Sequence, residues 1–68
     1  MLERLANRLK ERRTELGLTQ AELAERVGVT RKTVNTVENS VFTPSATLAI
    51  KLAQALQLSV EQLFWIER

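Results

Sequence analysis

Residues Gln20 to Asn39, reading QAELAERVGVTRKTVNTVEN, constrain the fold more tightly than any other stretch of the chain. Leu23 and Val27 are four residues apart and Val34 and Val37 three apart, so each pair lies on one face of a helix. Between the pairs stands Gly28, which can take the left-handed backbone a helix needs where it stops and the chain turns. Ala24 is small where two helices would cross closely. The flanks agree with this reading. Thr19 with Glu22 three residues on has the form of a capping box, and Thr30 is placed to cap the second helix. The spacing predicts two short helices joined by a tight turn, with Leu23, Val27, Val34 and Val37 facing inward.

The remaining pattern is also helical, with no alternating strand signal. Leu2, Leu5, Leu9 and Leu16 mark one face of a first helix that Gly17 ends. After the loop Ser40-Val41-Phe42-Thr43-Pro44, Ser45 caps a fourth helix whose inward face is Leu48, Ala49, Leu52, Ala53 and Leu56. Ser59 and Gln62 make a second capping box and open a fifth helix. The expectation is all-α: a compact five-helix domain covering 1–68, with no linker or repeat.

Composition removes whole classes of function. With no cysteine there is neither a disulfide nor a thiolate metal site, and with no histidine the commonest general base and metal ligand are missing. The carboxylates fall mostly on solvated helix faces, so the expectation is no catalysis, no metal, no cofactor and no small-molecule ligand. No apolar run approaches the roughly 18 residues that a bilayer span needs, and no secretory signal opens the chain. A cytoplasmic protein without a membrane partner is expected. The net charge is only +2, but three basic residues and no acidic one lie between Arg26 and Val37. Such a strip suits a phosphate backbone.

Two helices joined by a three-residue turn containing glycine form the helix-turn-helix unit, whose second helix enters the major groove of DNA. The groove-facing residues would be Arg31, Lys32 and Thr33, then Asn35 and Thr36 about one turn later. Arg31 can read guanine through two hydrogen bonds, Lys32 less rigidly, and Asn35 is able to pair with adenine. Thr33 and Thr36 offer a hydroxyl for phosphates or bases and a methyl for thymine. Arg13 falls where the Leu5–Leu9 stripe calls for an apolar residue, and Glu38 follows Val34 by four on the inward side. A paired Arg13–Glu38 bridge reconciles both, because a buried charge is costly unless partnered.

The chain resembles the lambda-repressor-like helix-turn-helix family, of the XRE/Cro type. The likeness rests on Gly17-Leu18-Thr19-Gln20, the Leu23/Ala24/Gly28/Val34 spacing, Val37-Glu38-Asn39 and Thr43-Pro44-Ser45, and runs from about Leu5 to Ile66. It implies sequence-specific binding of double-stranded DNA by a repressor-like transcriptional regulator, with the recognition helix at 31–38. It further implies that Gln20 contacts phosphate and braces that helix, and that Arg13 and Glu38 form a bridge. Thr19, Thr30 and Arg13 complete the phosphate-side candidates. A second expectation is an antitoxin or controller-type protein-binding module that binds DNA mainly for autoregulation.

Two places call for comment. Where the family commonly has Gly and then a basic residue after Glu38-Asn39, this chain has Ser40-Val41. Either Asn39 or Ser40 must then take the left-handed cap, a phosphate contact is lost, and Phe42 either tucks into the core or forms an exposed tip. At the C-terminus, Leu63-Phe64-Trp65-Ile66 read as helix would cover most of its circumference, so one large apolar side chain, Trp65 or Ile66, should be exposed. Phe64, Trp65 and Ile66 are therefore the candidate homodimer contact, matching a palindromic operator. The alternative is a frayed end with Trp65 lying over the domain.

Overall fold

The computed structural model describes residues 3–68. In chain order the elements are β1 (Arg4–Asn7), α1 (Leu9–Glu15), α2 (Gln20–Val27), α3 (Arg31–Glu38), α4 (Ala46–Ala55), α5 (Val60–Leu63) and β2 (Phe64–Glu67). Each expected cap is in place. The Thr19 hydroxyl accepts from the Glu22 N–H at 3.0 Å while the Thr19 N–H donates to Glu22 Oε1 at 2.9 Å. Thr30 caps α3, Ser45 caps α4, and Ser59 with Gln62 closes the box that opens α5.

The core is assembled from one to three buried side chains per helix. Leu9, Leu23, Val34, Val37, Leu52, Leu56 and Leu63 are each almost completely removed from solvent. Each such burial contributes on the order of 1.5–3 kcal/mol. Together they fix α3 against α2, with the polar side of α3 turned outward.

Four helices end in the same way. A left-handed residue turns the chain, and the next N–H reaches back to a carbonyl of the last turn. These bonds run from Leu18 to Arg13 (3.0 Å), Val29 to Ala24 (3.0 Å), Val41 to Thr36 (2.9 Å) and Leu58 to Ala53 (3.0 Å). Gly17 and Gly28 supply two of the turns, with φ of 71° and 76°, but Ser40 and Gln57 supply the others, both at φ 59°. Ser40 takes this role rather than Asn39 because the Asn39 N–H still donates to the Asn35 carbonyl at 3.1 Å, which carries the helix through Asn39.

The fold is five-helical but not all-α. Residues expected to begin the first helix form β1, which pairs antiparallel with β2 in the register Arg4↔Glu67, Leu5↔Ile66, Ala6↔Trp65 and Asn7↔Phe64. Leu2 lies outside the described residues. The first helix begins only at Leu9, whose N–H donates to Asn7 Oδ1 at 2.9 Å. The C-terminal end changes with it. Phe64 has extended backbone (φ −126°, ψ 146°), and Phe, Trp and Ile favour a pleated strand. The helical-circumference argument for residues 63–66 therefore fails. Phe64 is buried in the core of its own domain, which removes it from the dimer candidates, while Trp65 and Ile66 are exposed.

Candidate nucleic-acid interface

Helix α3 divides cleanly. Val34 and Val37 are buried, Arg31, Lys32 and Asn35 are exposed, and Thr33 and Thr36 are half-buried at the margins. Nothing acidic balances the exposed cations on this helix. Its only carboxylate, Glu38, has a side chain just 2% exposed and is turned to the interior. Arg31 and Lys32 enter no ion pair among the described residues.

The threonines are more committed than the sequence suggests. The Thr30 hydroxyl accepts from the Thr33 N–H at 3.2 Å and lies 3.0 Å from the Thr33 hydroxyl. The Thr36 hydroxyl donates to the Thr33 carbonyl at 2.9 Å. Thr36 has thus spent its one donor and the Thr33 hydroxyl is shared with Thr30, which leaves each with acceptor capacity and a methyl group to offer. Arg31, Lys32 and Asn35 keep their side-chain donors uncommitted among the described residues.

Behind this face lies a buried polar knot. Arg13 Nε donates to Glu38 Oε2 at 2.6 Å, and Nη2 approaches Oε1 at 3.4 Å. Arg13 Nη1 donates to the Leu18 carbonyl at 2.8 Å, and Gln20 Nε2 donates to Glu38 Oε1 at 3.0 Å. The expected Arg13–Glu38 bridge is present. Gln20 serves as a brace through its side chain, joining the start of α2 to the end of α3. The Arg13 guanidinium is held by the framework, its side chain only 12% exposed.

Asn7 was missed in the sequence, where it read as mid-helix. Its Nδ2 donates to the Val37 carbonyl at 3.0 Å while its Oδ1 holds the start of α1. Asparagine is a favoured capping residue, and that preference was the available signal. Arg12 Nε similarly donates to the Leu56 carbonyl at 2.8 Å at the end of α4. Phe42 does not enter the core: it is 48% exposed beside Val41, which is 76% exposed. Trp65 sits beneath Arg8, whose guanidinium carbon is 5.4 Å from the ring centroid. Trp65 thus lies over the domain and is still partly open to solvent.

Among the described residues no cluster of His, Cys, Asp and Glu could hold a metal ion, and no helix is long and apolar enough to cross a membrane. The arrangement is one for recognition: three side chains with free donors on a helix with a basic opening.

Comparison with known proteins agrees. The helix-turn-helix family matches residues 9–63, and the chain belongs to this family, in its lambda-repressor-like, XRE/Cro branch. The chain is similar to the HTH-type transcriptional regulator YgzD of Bacillus subtilis, 41% identical over 63 residues that cover 93% of this chain and 96% of that protein. In structure it is similar to the P22 c2 repressor in complex with a synthetic operator (TM-score 0.77, 33% identity, 79% of this chain and 82% of that one). It is also similar to the restriction-modification controller protein C.AhdI of Aeromonas hydrophila (TM-score 0.76, 38% identity, 81% and 80%).

Proposed function

We propose that residues 1–68 act as a single helix-turn-helix domain that binds double-stranded DNA sequence-specifically, as a repressor-like transcriptional regulator, with α3 in the major groove. The observation that carries this is the outer face of α3: Arg31, Lys32 and Asn35 free and un-neutralised on a helix whose only acid is buried. Arg31 reads guanine with its fork, Lys32 adds a point charge, and Asn35 pairs with adenine. Thr33 and Thr36 contribute methyl contacts. Thr19, Gln20 and Thr30 stand at helix N-termini on the phosphate side, where free backbone N–H groups favour an anion. Arg13 acts there chiefly by holding Glu38. The protein works in the cytoplasm without catalysis, cofactor or small-molecule ligand.

The regulator binds a palindromic operator as a homodimer, and Trp65 and Ile66 are the contact. Their exposed apolar area on β2 supports this reading. Trp65→Ala is expected to weaken self-association in sedimentation equilibrium. An unchanged monomer–dimer equilibrium removes Trp65 from the interface.

Selection of bound sites from a random duplex library at fixed salt tests the whole reading. Enrichment of a palindrome is expected, and no enrichment overturns it. The likeness to C.AhdI supports a second reading, an antitoxin or controller-type protein-binding module that binds DNA mainly for autoregulation. It shares the DNA face and differs in requiring a site within its own promoter.

A further inference from the structure

An open notch of about 310 Å³ lies against the base-reading side of α3, lined by Lys32, Thr33, Thr36, Val41 and Phe42. Three of these residues belong to the recognition helix and two to the loop that follows it. We propose that Val41 and Phe42 are specificity-determining residues, and that the notch they complete receives the 5-methyl group of a thymine in the major groove. The inference rests on the DNA-binding reading above and adds a base preference to it.

The argument begins with exposure. Val41 and Phe42 stand 76% and 48% open to solvent; Ile50, Trp65 and Ile66 are exposed as well, but Val41 and Phe42 are the two that line a notch with α3. They are not on a loose tip. Both of their N–H groups donate to the Thr36 carbonyl, at 2.9 and 3.2 Å, so the loop is clamped to the recognition helix. The left-handed turn at Ser40 (φ 59°) sets the direction in which the chain leaves α3.

The chemistry of the notch then selects its occupant. The Thr36 hydroxyl is turned back to the Thr33 carbonyl and the Thr33 hydroxyl is paired with Thr30. Together with the aliphatic stem of Lys32 and the side chains of Val41 and Phe42, they leave a largely apolar lining. The notch is continuous with the free donors of α3, and the cations Arg31 and Lys32 beside it complement a phosphate backbone. Among the groups that base pairs display in the major groove, the thymine 5-methyl is the apolar one. A neutral Val41 cannot hold a phosphate by charge, but it can cover a methyl.

The test replaces thymine by deoxyuridine, one position at a time, in the duplex enriched from the random library, since this removes only the methyl. At one thymine per half-site the native chain is expected to lose about fourfold in affinity, the value that burial of one methyl-sized group gives. In Val41→Ser, a change at a solvent-facing position that leaves the core intact, the same replacement should cost less than twofold. Phe42→Leu, which keeps an apolar side chain, should retain part of the sensitivity. Equal affinity at every replaced thymine overturns the notch while leaving DNA recognition standing. So does a fourfold loss that persists in Val41→Ser. Failure of the library to enrich any site overturns both readings together.

Discussion

Glu38→Leu is the most exposing single change available in this domain, because it removes the acceptor on which the buried knot depends. Glu38 takes Arg13 Nε at 2.6 Å and Gln20 Nε2 at 3.0 Å, with its own side chain only 2% exposed. Leucine would leave the Arg13 guanidinium, 12% exposed, without a counter-charge and would orphan the Gln20 amide. Breaking a buried ion pair from one side costs about 3–5 kcal/mol. Arg13 keeps its bond to the Leu18 carbonyl and a little solvent, which favours the lower end, about 3 kcal/mol. At roughly 0.05–0.15 kcal/mol per residue, a chain of this length has on the order of 3–10 kcal/mol in total. The loss is therefore a large share of its stability. Urea unfolding, followed by the fluorescence of the single tryptophan, should show the midpoint falling by about 2–3 M for a slope near 1 kcal/mol/M.

The decisive comparison adds Arg13→Met. If the pair costs about as much to desolvate as it gains, replacing both partners by apolar residues restores most of the loss. The double variant should then exceed the stability expected from adding the two single changes by about 2–3 kcal/mol. A Glu38→Leu midpoint within about 0.5 M of the native one would refute the reasoning. Strict additivity of the two changes would refute it equally.

Other outcomes follow from the same geometry. Arg31→Ala should weaken specific binding by about 1–3 kcal/mol and relax the base preference at one position, measured by titration against specific and random duplexes; equal loss on both would place Arg31 on phosphate instead. Ser40→Gly and Gln57→Gly should each stabilise the domain by about 0.5–1 kcal/mol in urea melts, since both relieve a left-handed residue that glycine adopts freely. Loss of stability at either site would show that the replaced side chain holds its turn in another way. Glu22 is held below its usual carboxylate value by the hydrogen bond from the Thr19 N–H, then by the Thr19 hydroxyl, with Arg26 adding to the effect. A depressed folded-state value means that this stabilisation is complete above the unfolded value and lost as pH falls through the folded one. The stability gap between native and Glu22→Gln chains should accordingly be widest near about pH 7 and close on acidification. A gap constant with pH would show that the charge of Glu22 contributes nothing.

What could be read from the sequence was whatever is settled within about one helical turn. Thr19–Glu22, Ser59–Gln62 and Gly28 each act on a neighbour three to five residues away, so type and spacing suffice. The Arg13–Glu38 pair was also legible, although 25 residues separate the partners, because each charge interrupts an apolar stripe and a buried charge demands an opposite one. The sheet was not legible. Leu5 and Leu9, four apart, mimic a helical face, and the strand that claims Leu5 comes from Ile66 at the other end of the chain. Nothing local distinguishes a four-residue strand from a helical turn when its partner is that remote. Phe64 was misplaced for the same reason, since its burial follows from strand geometry that the helical reading did not contain. Phe42 was left between the core and an exposed tip because type and spacing do not fix the path of a loop, which here is clamped to the Thr36 carbonyl.

The buried knot and the outer face of α3 are two results of one partition. Among the described residues no buried side-chain nitrogen or oxygen lacks a hydrogen-bond partner, so the interior has used every polar group it contains. Glu38 belongs to that interior although it lies on the recognition helix, and its burial removes the one negative charge that would otherwise face DNA. Gln20 is likewise drawn inward, and the Thr36 hydroxyl is turned back on its own helix. The side chains of α3 left uncommitted are therefore Arg31, Lys32 and Asn35, the set that the proposed readout uses. A single Arg13–Glu38 pair thus does two things at once, fixing the angle of the helix and clearing the field around its cations. Loss of the pair should consequently weaken binding to specific and random duplexes alike, whereas loss of Arg31 should be felt most on the specific one.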